Sequence, residues 1–100
     1  MFIGGELIYW VIYDISNNSN RLKVSEECKN FGLVRIQKSA FIGKMTKNTA
    51  EMLAIKCKEI IEKNDCVFII PSCSNCFSDK IILGKFDEEK LKSKDFLIVD

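Results

Sequence analysis

The sequence predicts an α+β domain of the ferredoxin-like type: an antiparallel β-α-β-β-α-β sheet with two helices on one face and an additional C-terminal strand. Short apolar runs typical of strands alternate with two segments whose apolar residues recur every three or four positions. A pair of extended segments separates the two helical segments, which is the order of a split β-α-β fold. The length of 100 residues allows one domain and leaves no room for a second.

The first strand is predicted at Leu7–Tyr13, where seven apolar or aromatic residues follow one another without alternation. Such a run is typical of a strand that is buried on both faces in the centre of its sheet. Two helices on one side cover only one of those faces. A second copy of the chain is the simplest cover for the other face, so the sequence predicts a homodimer.

The first helix is predicted at Arg21–Phe31, because apolar residues in this segment are spaced by four and three positions. Ser19 or Asn20 can cap its N-terminus. Gly32 follows where a glycine commonly ends a helix. The predicted buried face consists of Val24, Cys28 and Phe31.

The middle of the chain, Leu33–Met45, is predicted to be extended. It fits either two short antiparallel strands with a reversal near Gln37–Ser39 or one bent strand. The second helix is predicted at about Lys47–Lys63, with Asn48 and Glu51 at the spacing of a capping box.

A fourth strand is predicted at Cys66–Ile70 and is expected to stop at Pro71. A short fifth strand is predicted at Lys80–Gly84, and the remaining residues are highly charged. The predicted organisation is therefore a ferredoxin-like domain at 1–84, including the fifth strand, and a charged tail at 85–100 that ends in a strand-like segment.

Composition excludes several classes of chemistry. With no histidine, the chain cannot form a Ser-His-Asp triad, a Cys-His dyad or an imidazole zinc site. No stretch reaches the roughly 18 apolar residues of a membrane span, and no basic segment resembling a signal peptide precedes the first apolar run. Five cysteines, an odd number, indicate reduced thiols rather than a disulfide framework, so a cytoplasmic protein is expected.

The net charge of +1 conceals an asymmetry. Residues 21–58 carry nine basic side chains against three acidic ones, whereas the rest of the chain carries six basic and eleven acidic ones. A basic zone of this kind either binds phosphates through counterion release or is an ordinary solvated surface.

Asp14 is the most suggestive single residue, because it ends the apolar strand shortly before a predicted helix. It either starts a loop by hydrogen bonding to its own backbone or serves as a metal ligand. One carboxylate is few for a magnesium site. Two copies of Asp14 that meet at a dimer axis would supply a second carboxylate ligand.

Several segments, in order, resemble the small CRISPR-associated endoribonuclease family, the compact non-integrase subunit of the spacer-acquisition complex. The resemblance spans about residues 7 to 84. Each motif alone is weak evidence for the family, but their order and spacing together are specific for it. These segments are Tyr13–Ser16, Arg21–Val24, Gly32–Gly43, Phe68–Pro71 and Lys80–Gly84.

The resemblance implies a ferredoxin-like homodimer whose fifth strand packs on the sheet of the partner. It implies that Asp14 is the metal-binding and catalytic residue, paired with its copy across the dimer axis. It also places six further residues at motif positions around that site, where they are expected to contact nucleic acid: Tyr13, Arg21, Lys23, Arg35, Ser39 and Phe41.

Two functions follow as hypotheses. The first is a CRISPR adaptation endonuclease that cuts RNA or double-stranded DNA, in which Mg²⁺ or Mn²⁺ held by two Asp14 carboxylates activates a water. Its phosphate contacts would come from Arg21, Lys23, Arg35 and Lys38. The second is a non-catalytic dimeric scaffold that binds duplex DNA and bridges CRISPR integrase subunits. A regulatory domain for a small metabolite is a third and less favoured interpretation.

Overall fold

The computed structural model describes residues 5–73, 78–79, 81 and 83. In chain order the elements are β1 (Glu6–Asp14), α1 (Asn18–Asn30), β2 (Val34–Gln37), β3 (Ala40–Thr46), α2 (Lys47–Ile60) and β4 (Cys66–Ser72). The strands form one antiparallel sheet in the order β2-β3-β1-β4, which confirms the predicted α+β fold. The predicted fifth strand and charged tail lie outside the described residues, apart from two exposed side chains, Ile81 and Leu83.

Strand β1 is central, with β3 on one side and β4 on the other. Its side chains alternate between the two faces of the sheet. Tyr9, Val11 and Tyr13 are buried in the core with residues of both helices. On the opposite face Ile8 is fully buried, but Ile12 is 41% exposed. Burial of β1 on both faces is therefore only partly correct for a single chain.

Helix α1 begins three residues earlier than predicted, because its cap is Asn17 rather than Ser19 or Asn20. The Asn17 side chain accepts a hydrogen bond from the backbone N–H of Asn20 at 2.9 Å. The first turn is polar, so apolar spacing does not reveal it. The predicted end of the helix is confirmed: Gly32 follows the C-cap with φ of 84°, a left-handed conformation that glycine adopts without strain.

The extended middle segment forms two strands rather than one bent strand. Lys38 and Ser39 form the turn between β2 and β3, within the predicted reversal. The pairing shifts register between Arg35 and Gln37, so a bulge stands next to the turn.

Helix α2 is capped by Thr46, whose hydroxyl accepts a hydrogen bond from the backbone N–H of Thr49 at 3.1 Å. The capping box predicted at Asn48 is wrong, since Asn48 already lies in the first turn. The helix also ends at Ile60 rather than Lys63, because the backbone turns extended at the next residue. At the N-terminus of α2, the hydrogen bond that the Thr46 side chain accepts caps the helix without a capping box.

Strand β4 continues through Pro71 to Ser72, so the prediction that Pro71 ends it is wrong. Pro71 pairs in register with Tyr9 of β1. Within the described part of the sheet β4 is an edge strand, where a missing backbone N–H is tolerated.

The core lies between the sheet and the two helices. Cys28 of α1 and Cys57 of α2 are buried there beside Val24 and Leu53. Burial raises the pKa of the Cys28 thiol to about 12 and that of Cys57 to about 11, so both stay protonated at neutral pH. These two cysteines act as small apolar core residues, as the sequence predicts.

Gly43 of β3 provides a first testable prediction. A Cβ at this position would overlap the Leu33 side chain and lie 3.1 Å from the Leu33 Cα, which cannot move cheaply. Gly43→Ala is therefore expected to lower the free energy of unfolding by about 1–3 kcal/mol, as overpacking does. Urea denaturation measures the loss, and an Ala variant as stable as the wild type would contradict the close approach. Gly5→Ala is an unsuitable control because Gly5 has positive φ; Ser19→Ala is the surface control.

Candidate nucleic-acid interface

A cavity of about 220 Å³ opens where the end of β1 meets the first turns of α1 and the β2–β3 turn. Three of its lining residues are cationic and none is acidic, so the cavity favours an anion. We call it the cationic cavity. It is lined by Tyr13, Asn18, Arg21, Leu22, Arg35 and Lys38.

Arg21 is held in place from the first turns of α1. One guanidinium nitrogen, Nη1, donates to the backbone oxygen of Ile15 at 3.2 Å, and the other, Nη2, donates to Oδ1 of Asn18. Both partners are neutral, so the positive charge is not cancelled by these contacts.

Arg35 projects from β2 and is held by two different contacts. Its Cζ lies 5.3 Å from the centroid of the Phe41 ring, and its Nη2 donates to Oγ of Ser25 at 2.7 Å. Phe41 is fully buried and stacks at 6.4 Å on the ring of Tyr13. Phe41 therefore supports Arg35 from the core and does not itself lie at the surface.

Tyr13 connects β1 to the hairpin turn. Its hydroxyl donates to the backbone oxygen of Lys38 at 3.4 Å, and its backbone N–H donates to the oxygen of Ser39 at 3.0 Å. Burial raises the pKa of Tyr13, and the nearby positive charge of Arg35 offsets part of this rise. The phenol is consequently neutral at physiological pH.

The structure gathers some of the candidate residues and separates others. Tyr13, Arg21, Arg35 and Lys38 meet at the cavity, with Phe41 beneath them. Lys23 is exposed but does not line it, since two residues after Arg21 correspond to about 200° around a helix. The side chain of Ser39 does not line it either.

Sequence reasoning missed three residues of this site. Asn18, Leu22 and Ser25 share a face of α1 with Arg21, since Arg21, Leu22 and Ser25 follow Asn18 by three, four and seven residues. Asn18 and Ser25 lie three residues before and four residues after the candidate arginine, so the helical spacing could have marked them as its neighbours, but not what they contact.

Asp14 lies on the other face of the sheet, because neighbouring side chains of a strand point in opposite directions. It is exposed at the end of β1. Ile12 on the same face pairs with Phe68 of β4, and the next pair along brings in Ile70. Ile12, Phe68 and Ile70 are 41, 52 and 44% exposed, and we call them the open-face patch. Asp14 stands at the end of this patch.

The loop that follows Asp14 is fastened to the loop between α2 and β4. Asp65 accepts hydrogen bonds through Oδ1 from the backbone N–H of Ser16 at 3.2 Å and through Oδ2 from that of Glu62 at 2.8 Å. The side-chain amide of Asn20 donates to the Glu62 carboxylate at 3.3 Å. These contacts hold the loop that follows Asp14 against the loop that precedes β4.

The Asp14 carboxylate fits Mg²⁺ or Mn²⁺ chemically, since both prefer oxygen ligands. Mg²⁺ is often bound through only one or two carboxylates together with water and phosphate. Within the described part of the chain, no three His, Cys, Asp or Glu side chains cluster in a way that could hold a metal ion. The described part of one chain therefore supplies only part of such a site at Asp14.

The sequence motifs and this geometry agree with a comparison to known families. The family described as CRISPR associated protein Cas2 matches residues 7–80, which include nearly every described helix and strand. The chain belongs to the Cas2 family. The resemblance noted in the sequence is thereby confirmed.

Individual Cas2 relatives match over most of their length. The CRISPR-associated endoribonuclease Cas2 of Korarchaeum cryptofilum is 46% identical over 86 residues, covering 83% of this chain and 92% of the relative. CRISPR-associated endoribonuclease Cas2 1 of Archaeoglobus fulgidus is 36% identical over 89 residues, covering 88% and 95%. The crystal structure of a hypothetical protein from Thermus thermophilus matches with a TM-score of 0.72 at 25% identity, covering 83% and 96%.

One relative joins Cas2 to a second protein. It is a CRISPR-associated endonuclease Cas1/endonuclease Cas2 fusion from Thermoproteus tenax, 44% identical over 48 residues, covering 44% of this chain and 18% of the fusion.

Among the described residues, no helix combines the length and apolar character needed to cross a membrane.

Proposed function

We propose that this chain is an endoribonuclease of CRISPR adaptation that works as a homodimer with Mg²⁺ or Mn²⁺. The observation that carries the proposal is the cationic cavity, whose two arginines are held in place beside the strand end that bears Asp14. The names of the two Cas2 relatives above, both endoribonucleases, support RNA as the substrate.

The dimer is inferred from the open-face patch. Three large apolar side chains are exposed side by side on the face that the helices leave uncovered. Burying them against a second copy gains roughly 25 cal/mol for each Å² of apolar surface removed from water. Asp14 lies at the end of the same face, so a two-fold arrangement on this patch would bring the Asp14 residues of both copies to one interface.

The residues of the chain would divide the work between binding and chemistry. Arg21, Arg35 and Lys38 would bind phosphates of the RNA backbone and fix its position relative to β1. Tyr13, as a neutral phenol bonded to the hairpin turn, would hold that turn in place. The two Asp14 carboxylates would hold the divalent ion, which supplies positive charge at the scissile phosphate.

A cleavage assay with controlled metal content tests this function. Single-stranded RNA incubated with the protein is expected to be cut when Mg²⁺ or Mn²⁺ is present and to stay intact in excess EDTA. Restoring the divalent ion should restore cleavage. Cleavage that persists in EDTA would contradict a metal-dependent mechanism, and binding without cleavage under any divalent ion would contradict the nuclease function.

A second candidate function is a non-catalytic scaffold that binds duplex DNA and joins Cas1 integrase subunits. The Cas1/Cas2 fusion favours this association, and the one carboxylate at the C-terminal end of β1, Asp14, is few for a catalytic site. The scaffold would bind DNA with an affinity that falls steeply with salt, and it would form a complex with Cas1 while cutting neither RNA nor DNA.

A further inference from the structure

Ser25 is the one buried polar residue in the described part of the chain, at 1% exposure. Serine in the middle of a helix is less favourable than alanine, and a buried hydroxyl costs free energy unless it is hydrogen bonded. Its presence on the buried side of α1 therefore calls for a hydrogen-bond partner.

That partner is Arg35. The guanidinium Nη2 donates to the Ser25 Oγ at 2.7 Å, the short distance typical of a hydrogen bond from a charged donor. The same guanidinium lies over the Phe41 ring, on which the Tyr13 ring stacks in turn. Arg35 is thus exposed to solvent and yet fixed from beneath.

We propose that Ser25 is a positioning residue for RNA binding, which rests on the proposed function: its buried hydroxyl fixes the Arg35 guanidinium at the wall of the cationic cavity. The Phe41 ring supports the guanidinium from below, with Cζ 5.3 Å from the ring centroid, and the hydrogen bond from Nη2 to the Ser25 Oγ restrains its rotation. A guanidinium group that is already oriented loses less conformational entropy when it binds a phosphate.

Ser25→Ala removes the acceptor and leaves the charge of Arg35 in place. RNA affinity is expected to fall about fivefold, in line with the net value of a typical hydrogen bond. The slope of log affinity against log salt is expected to stay unchanged, because the number of cations does not change. Arg35→Ala is expected to lower that slope by about one unit.

A double-mutant cycle separates positioning from a general loss of packing. In the Arg35→Ala background, Ser25→Ala is expected to change RNA affinity by less than about twofold, because the residue through which it acts is gone. Cys57→Ala is the matched control: it likewise removes one buried side-chain atom, but from α2, and it should leave RNA affinity unchanged. A fivefold loss that persists without Arg35, or that Cys57→Ala reproduces, would overturn the proposal.

NMR of the Arg35 guanidinium tests the positioning without RNA. The wild type is expected to show separate Nη resonances, because rotation about the Cζ–Nε bond is hindered, and Ser25→Ala is expected to average them. Averaged resonances in the wild type would overturn the role of Ser25. A wild type with separate resonances that binds no RNA would instead refute the proposed function, so the two failures are distinguishable.

Discussion

Asp14→Asn is expected to abolish metal-dependent RNA cleavage, lowering the rate by at least roughly a hundredfold. Loss of even an outer partner of a metal ligand costs about 10- to 100-fold in affinity or activity, and this change removes the ligand charge from both copies. Asparagine has nearly the same shape, and Asp14 is exposed at a strand end, so the fold should persist. Gel-based cleavage of labelled RNA in Mn²⁺ measures the effect.

The matched control is Asp79→Asn, an identical change at an exposed aspartate that belongs neither to β1 nor to the cationic cavity. It should cut RNA at the wild-type rate. Circular dichroism and RNA binding should be the same for both variants and the wild type. Undiminished cleavage by a folded Asp14→Asn protein would remove Asp14 from the chemistry.

Phe68→Glu is expected to convert the proposed dimer into monomers and to stop cleavage with it. Phe68 pairs with Ile12 within the open-face patch and is 52% exposed in the single chain. A glutamate there would bury an unpaired charge from each copy at the interface, and such burial costs several kcal/mol. The dimer dissociation constant should rise at least about a hundredfold, as measured by sedimentation velocity.

Ile55→Glu provides the comparison for this change. Ile55 lies on α2, away from the patch, and is 61% exposed, so the same kind of substitution should leave the dimer and the cleavage rate unaffected. A Phe68→Glu protein that remains dimeric would place the interface on another surface. A monomer that still cuts RNA at the wild-type rate would show that the site is complete in one chain.

The order of strands and helices could be predicted because hydrophobic spacing reports it directly. The boundaries depended on single polar contacts that leave no periodic signal. Asn17 and Thr46 start the two helices through one hydrogen bond each, and neither belongs to an apolar stripe. Pro71 remains in β4 because that strand is at the edge of the described sheet, and only the topology reveals this.

The candidate site was predictable in part. Arg21, Arg35 and Lys38 stood out by charge, and the structure brings them together at one cavity. Lys23 belongs to the same basic zone, but its position on α1 points its side chain away from the cationic cavity. Ser25 has no charge and no motif, so its role emerged only once the fold placed it beneath Arg35.

In the proposed dimer, two copies of Asp14 share one divalent ion. Counting bound Mn²⁺ per chain by electron paramagnetic resonance tests it most directly, because it requires no cleavage. One bound Mn²⁺ per two wild-type chains, lost in both Asp14→Asn and Phe68→Glu, is the expected result. A site that binds one ion per chain, or that survives in the monomeric Phe68→Glu protein, would contradict a shared site.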